Sequence, residues 1–175
     1  MKPSVTRILK PYANFGMVRP DVLEHAANRG KRVHESCHAY AAGMFMRKLD
    51  AEVEPYFQSF KLWFDSTVEE VIGTELELKS SLGFCGHPDL VAILKGDQTA
   101  TVVDYKTPLS ESKTWRPQLA AYHRLVNESG INAKRCLSVR LRKNGGPALV
   151  TEYETDAEDW AAFLNALYAW NYFNK

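Results

Sequence analysis

Two carboxylates and a lysine in the middle of the chain have types and spacing that suit phosphate chemistry: Asp89, Asp104 and Lys106. Residues two apart on a strand point to the same face of a sheet, so Asp104 and Lys106 project side by side. Asp89 falls on the preceding predicted strand and can reach the same place. Carboxylate oxygens are ligands for Mg2+ or Mn2+, which can activate a water and bind phosphate oxygens. A neighbouring lysine can orient that water or stabilise developing negative charge.

An Asp-x-Lys pair on a strand is, by itself, commonly a surface ion pair that contributes about 0–1 kcal/mol. The three residues therefore favour metal-dependent chemistry only together with their neighbours. Gly86-His87-Pro88-Asp89 precedes Asp104-Tyr105-Lys106, and Gln118 and Tyr122 follow on a predicted helix. Residues four apart share one face of a helix, so Gln118 and Tyr122 can act at one place. Upstream lies Arg29-Gly30-Lys31-Arg32-Val33-His34.

These motifs, in this order, resemble the PD-(D/E)XK nuclease superfamily, and in particular its RecB-like branch with a QxxxY motif and an upstream RGxxxH element. The resemblance implies that a metal is held by His34, Asp89, Asp104 and the backbone carbonyl of Tyr105. It also implies that Lys106 is the catalytic lysine and that Gln118 and Tyr122 hold the site or the DNA backbone. An upstream glutamate occurs in the superfamily, and either Glu75 or Glu77 can fill that position. We favour Glu75, either beside the ligands of the first metal or as a ligand of a second metal.

Five further residues are candidates for contacts with DNA, because cations bind phosphates and aromatic rings stack on bases. The four basic residues could instead be solvated surface residues without a ligand, and the tryptophan could instead pack in the core. The candidates are Arg29, Arg32, Lys113, Trp115 and Arg116.

Composition narrows the class of protein. The chain has 175 residues, 45% hydrophobic and 25% charged, which predicts one globular domain over residues 1–175. The formal net charge is +1, so contact with nucleic acid must come from local patches. Three widely separated cysteines argue against a four-cysteine iron–sulfur cluster or a zinc knuckle. No apolar run is long enough to span a bilayer, and the absence of paired cysteines favours a reducing compartment, so we expect a cytoplasmic protein without a membrane partner. The family resemblance implies a protein of a bacterial host or phage.

Hydrophobic periodicity predicts an α/β fold with a mixed sheet flanked by helices, and the resemblance implies that its core is restriction-endonuclease-like. Residues 1–69 are predicted to be helical, 70–154 to form the sheet core, and 155–175 to form a last helix. We predict that Ser4 caps the first helix, that Gly30 breaks the second, and that Thr155 and Glu158 form a capping box. The first three strands are predicted to form an antiparallel meander. The predicted helices are Val5–Tyr12, Asp21 to about Gly30, a further helix from there to about Met46, Pro55–Val68 and Trp115–Ser129, and the predicted strands are Glu70–Lys79, Phe84–Leu94, Thr99–Lys106, Lys134–Arg142 and Ala148–Glu154.

The sequence thus predicts a metal-dependent DNA nuclease, favoured as an exonuclease, in recombination, repair or phage DNA processing. Its substrate would be single- or double-stranded DNA. It could also form a homo-oligomer or bind a phage recombination partner. The alternatives are an endonuclease of the same fold, a fold relative that binds nucleic acid without cutting it, and another Mg2+-dependent phosphohydrolase that acts on nucleotides.

Overall fold

A five-stranded mixed sheet lies between two sets of helices in the computed structural model, which describes residues 2–13, 18–46, 48–154 and 157–174. The elements are α1 (Val5–Leu9), a 3-10 turn (Lys10–Tyr12), α2 (Pro20–Ala41), α3 (Glu54–Thr67), β1 (Val68–Thr74), β2 (Leu78–Lys79), β3 (Cys85–Gly86), β4 (Leu90–Leu94), β5 (Ala100–Lys106), α4 (Trp115–Glu128), β6 (Ala133–Arg140), β7 (Leu149–Tyr153) and α5 (Ala157–Phe173).

The strands of the large sheet are ordered β1-β4-β5-β6-β7. Strands β1, β4 and β5 are antiparallel, β5 and β6 are parallel, and β7 returns antiparallel to β6. A parallel pair needs a crossover connection, and α4 provides it between β5 and β6. The predicted α/β fold with a mixed sheet and N-terminal helices is therefore confirmed.

Alternate residues of β5 serve two separate cores. Val102 packs in a cluster with residues of α1, α4 and α5, whereas Val103 and Tyr105 pack in a second cluster with residues of α2 and α3. Successive side chains of a strand point to opposite faces, so Asp104 and Lys106 lie on the α4 side with Val102. The helix that carries the QxxxY motif thus covers the face from which the two charged residues project.

The prediction that Gly30 breaks a helix is wrong, because α2 continues through it for 22 residues. A glycine inside a helix costs about 1 kcal/mol relative to alanine. Burial of Val33 and Cys37 on the same helix offsets that cost. The helix ends at Ala41, before the predicted Met46, and Gly43 follows with a φ of 65°.

The predicted strand Glu70–Lys79 is two strands with different partners. Strand β1 pairs with β4 in the large sheet, whereas β2 pairs with β3 in a separate two-stranded sheet. Glu75 lies between them with a φ of 53°, in the left-handed region where the strand turns away. The predicted strand Phe84–Leu94 likewise divides into β3 and β4. The predicted meander therefore holds for β1, β4 and β5, with the small β2–β3 hairpin inserted.

Several local predictions are confirmed. The Ser4 hydroxyl caps α1 by accepting a hydrogen bond from the Arg7 backbone N–H at 3.3 Å. Helices α3 and α4 and strands β5, β6 and β7 lie within two residues of their predicted bounds. The predicted capping box at Thr155 lies outside the described residues. Among the helices of the described part of the chain, none is long and apolar enough to cross a membrane.

Candidate active site

Asp89 joins helix α2 to strand β5. Its Oδ2 accepts a hydrogen bond from the Tyr105 backbone N–H at 2.6 Å, and its Oδ1 lies 3.0 Å from His34 Nδ1. The carboxylate is almost fully buried, while the His34 side chain is 29% exposed. The Tyr105 ring is buried on the opposite face, in edge contact with Phe60 and His34. Asp89 is therefore held rigidly, with the histidine beside it open to the cleft.

Asp104 and Lys106 form a buried ion pair that faces α4. The Gln118 side chain bridges the pair: Lys106 Nζ donates to its Oε1 at 2.8 Å, and its Nε2 donates to Asp104 Oδ1 at 3.1 Å. The same Nε2 lies 3.3 Å from the Tyr122 hydroxyl. The Lys106 ammonium also lies 5.3 Å from the centre of the buried Trp115 ring. Gln118, which is itself in contact with Tyr122 one helical turn later, thus holds the charged pair in place from α4.

A glycine permits this approach of α4 to the small hairpin. A Cβ added at Gly86 would lie 2.8 Å from Tyr122 Cε1 and 2.8 Å from Leu125 Cδ1. Real Cβ atoms do not approach ring carbons so closely, so any larger residue displaces the tyrosine. Gly86 is therefore part of the structure that places Tyr122.

An open cleft of about 500 Å³ contains these groups. The N-terminal segment forms one wall of the cleft, and none of the sequence motifs predicts this. The helical spacing of Val5, Ile8 and Leu9 indicates one apolar face of α1, but nothing in the sequence shows where that face docks. Residues of the motifs and of their neighbours line the cleft, namely His34, Gly86, Asp89, Asp104, Tyr105, Lys106, Trp115, Gln118 and Tyr122, and the N-terminal wall consists of Ser4, Thr6, Leu9, Lys10 and Ala13.

The donor set fits a divalent cation. His34, Glu75 and Asp89 each offer one ligand atom, and these atoms all lie within 4.8 Å of one another. Asp104 Oδ2 is buried beside the Lys106 ammonium but receives no well-aligned hydrogen bond from the described residues. Glu77, the other upstream candidate, instead pairs with Lys79 at 2.9 Å. The carboxylate oxygens suit Mg2+ or Mn2+, whereas the imidazole nitrogen suits a transition-metal ion better than Mg2+.

The electrostatics of the cluster show an excess of negative charge. Burial by itself lowers the pKa of His34, but the charge and the hydrogen bond of Asp89 outweigh it and raise that pKa to about 9. Burial and the nearby Asp89 charge raise the pKa of Glu75 to about 7. Burial also raises the pKa of Asp104, while the Lys106 charge opposes the rise. Without a metal the cluster thus retains protons, and a divalent cation can replace them.

The five residues predicted to contact DNA differ in their surroundings. Arg29 lies 3.6 Å from Glu52, Arg32 lies 2.6 Å from the same glutamate, and Arg116 lies 3.0 Å from Asp159. Lys113 is exposed in the loop after β5, and Trp115 is buried but lines the cleft. Contact of each with DNA stays a prediction.

Comparison with known proteins agrees with this geometry. The family model described as the PD-(D/E)XK nuclease superfamily matches residues 12–169. A solved structure, "Crystal Structure of LHK-Exo in complex with dAMP", has a similar fold: the TM-score is 0.50 at 18% sequence identity, over 96% of this chain and 85% of that chain. No curated protein is significantly similar in sequence.

The fold and the clustered acidic groups beside a lysine define a metal-dependent nuclease, an enzyme that hydrolyses phosphodiester bonds. The chain belongs to the PD-(D/E)XK nuclease superfamily.

Proposed function

We propose that this nuclease is a deoxyribonuclease of the RecB-like branch that uses Mg2+ or Mn2+ and acts on DNA ends. One observation carries the proposal: the residues of three separated motifs converge in a single cleft. These residues are His34, Asp89, Asp104, Lys106, Gln118 and Tyr122. We further propose that residues 1–175 work as one nuclease domain, in recombination, repair or phage DNA processing.

In the proposed site, His34, Asp89, Asp104 and the backbone carbonyl of Tyr105 hold the metal, and Glu75 lies beside them. When bound, such an ion lowers the pKa of a coordinated water and neutralises phosphate oxygens. Asp89 keeps its place because the Tyr105 backbone N–H fixes one of its oxygens at 2.6 Å. It leaves His34 and the second oxygen facing the cleft.

Lys106 supplies a positive charge at a fixed position in this proposal. Its ammonium is held between Asp104, Gln118 and the Trp115 ring, and its side chain is only 11% exposed. A buried, preorganised cation stabilises charge on a phosphate more strongly than one in water does. Lys106 therefore orients the attacking water and stabilises the negative charge that develops on the phosphoryl oxygens.

Two observations support DNA as the substrate and an end as the point of attack. The structurally similar protein is named an exonuclease and is in complex with dAMP, a deoxynucleotide. The cleft, at about 500 Å³, is within the range of pockets that hold one small ligand. A strand end of one or two nucleotides fits such a volume.

The test uses linear single- and double-stranded DNA with a labelled end, beside covalently closed circular DNA, in Mg2+, Mn2+ or EDTA. We expect metal-dependent shortening from the ends and an intact circle. Asp104→Ala, purified in parallel, identifies any contaminating nuclease, because it should lose the activity. Cutting of the circle would replace the exonuclease by an endonuclease of the same fold. DNA binding without cutting in any metal would reject the proposed activity in favour of a binding protein.

A further inference from the structure

A second, smaller groove of about 280 Å³ lies beside the catalytic cleft, and Pro108 lines both. It runs between the loop that follows β5 and the turn that joins β6 to β7. Its lining combines three cations with two exposed leucines. The lining residues are Pro108, Leu109, Arg140, Leu141, Arg142, Lys143, Asn144 and Leu149.

The three cations of this groove differ from most arginines of the protein. Within the described ranges, Arg140, Arg142 and Lys143 form no ion pair with a carboxylate, and Arg142 and Lys143 are exposed. Elsewhere the arginines of α2, α4 and the start of β6 have acidic partners, as Arg124 does with Glu128 and Arg135 does with Glu152. Three cations that form no ion pair with a described carboxylate therefore lie together in this groove, next to the cleft.

The backbone ties this groove to the reaction centre. Arg140 lies directly opposite Lys106 in the parallel β5–β6 register, and Leu141 N donates to Lys106 O at 2.7 Å. Neighbouring strands are about 4.8 Å apart, so the basic groove begins one strand away from the catalytic lysine. The Arg140 guanidinium donates to Leu109 O at 3.1 Å and so fixes the loop after β5.

The turn that carries the other two cations is also held in place. The Arg142 backbone N–H donates to Ser59 Oγ at 3.0 Å, which anchors the turn to α3. Gly145 adopts a φ of 72° and donates to Arg142 O at 3.1 Å, so the turn is closed by its own backbone. Because the backbone is fixed, binding a ligand there orders only the side chains of Arg142 and Lys143.

We propose that this groove binds the phosphate backbone of the substrate strand next to the nucleotide in the catalytic cleft. Cations without acidic partners suit phosphates, and the exposed Leu109 and Leu149 offer apolar contact to sugars or bases. The inference rests on the proposed function, since it names the part of the protein that holds the rest of that substrate. Arg142 and Lys143 supply two of the phosphate contacts.

The test compares Arg142→Ala/Lys143→Ala with the wild type by fluorescence anisotropy on a labelled single strand of about twenty nucleotides. Ca2+ replaces the catalytic ion, and KCl is varied. Each phosphate contact in a single strand contributes about 0.7 to the slope of log affinity against log salt. We expect the slope to fall by about 1.4 and the affinity at low salt to fall on the order of tenfold. Arg142→Glu/Lys143→Glu should lose more.

The matched control is Lys95→Ala/Lys134→Ala, which removes the same charge at the opposite end of the sheet, where β4 ends and β6 begins. We expect its affinity and salt slope to match those of the wild type. An unchanged slope in Arg142→Ala/Lys143→Ala with its melting temperature retained overturns the inference, as does equal loss in the control. If Arg142→Ala/Lys143→Ala weakens DNA binding as expected but the wild type never cuts DNA, the groove is supported and the proposed nuclease activity is rejected. Weakening that is absent for a mononucleotide and grows with strand length supports the groove, because a mononucleotide occupies only the catalytic cleft.

Discussion

Gln118 connects the strand-borne charged pair to helix α4. Its amide donates to Asp104 and accepts from Lys106, so it orients both charges at once. Loss of a residue that orients catalytic or metal-binding groups typically costs 10–100-fold in activity or affinity. We therefore expect Gln118→Ala to lower the rate of DNA cleavage at saturating metal by about 10–100-fold. Gln58→Ala, at an exposed position of α3, is the matched control. A Gln118→Ala variant as fast as this control would exclude the orienting role.

Metal binding is predicted to release protons. In the metal-free site the pKa of His34 is about 9 and that of Glu75 about 7, and both groups must lose their protons to act as ligands. At pH 7 we expect Mn2+ to displace between about one and two protons, and fewer above pH 9. Calorimetry in buffers of different ionisation enthalpy measures this number. Release that is near zero at pH 7 would contradict the assignment of His34 and Glu75 to the site.

Protonation of His34 opposes metal binding, but it stabilises the folded protein when no metal is bound. The pKa of His34 in the folded protein lies above its ordinary value of 6.5, so protonation favours the folded state. The His34–Asp89 pair thus stabilises the metal-free protein fully below about pH 6.5, and this contribution is lost as the pH rises towards 9. Affinity for Mn2+ should rise over the same interval.

The sequence predicted a large part of the candidate site at this scale. Alternation along a strand placed Asp104 and Lys106 on one face, and helical spacing placed Gln118 and Tyr122 together. Glu75 was favoured over Glu77, but strand alternation does not support this choice, because a regular strand puts both residues on one face. The left-handed backbone at Glu75 and the Glu77–Lys79 ion pair separate them in the structure, and neither is visible in local pattern.

Among the helices and strands, two glycine-to-alanine substitutions should have opposite effects on the free energy of unfolding. Gly86 lies where β3 meets α4, and an added Cβ collides with Tyr122 and Leu125. Gly30 lies inside α2, where an added Cβ meets only Thr107 Oγ1 at 3.4 Å. We expect Gly86→Ala to destabilise the protein by about 1–3 kcal/mol and to slow cleavage through Tyr122. Gly30→Ala should be neutral or stabilise α2 by up to about 1 kcal/mol.

Urea unfolding of the two variants beside the wild type measures this difference. If both glycine substitutions had the same effect, the close approach of α4 to the β2–β3 hairpin would be refuted. The glycines also show why element bounds were only partly predictable. A glycine inside a helical pattern signals either a break or a close contact, and only packing decides between them.

At the scale of the whole molecule, the N-terminal segment completes the cleft. Ile8 is fully buried with residues of α4 and α5, and Thr6 and Lys10 of the same segment line the cleft. We expect Ile8→Ala to cost about 2–5 kcal/mol, because it leaves a cavity between α1 and the rest of the core. Ile72→Ala, at a partly exposed position of β1, should cost about 1 kcal/mol or less. Equal losses, measured by thermal unfolding, would show that α1 is not docked in solution.

The positions of most helices and strands were predictable from the sequence, but the pairing of the strands was not. Apolar periodicity indicated the helices and the alternating strands, and the motif order indicated the fold. Pairing partners depend on contacts distant in sequence, so the division of Glu70–Lys79 between two sheets was not predictable. The docking of α1 beside Gln118 and Tyr122 was not predictable for the same reason, because it also depends on contacts distant in sequence.

In the proposed enzyme, one cleft binds the metal through Asp104 and its neighbours and uses Lys106 for the chemistry. Single-turnover cleavage of end-labelled DNA, with Mn2+ affinity measured in parallel, tests it with Asp104→Asn and Lys106→Met. Both variants should cleave at least about 100-fold more slowly at saturating Mn2+. Only Asp104→Asn should weaken Mn2+ binding substantially. Cleavage by either variant within a few-fold of the wild-type rate would contradict the claim.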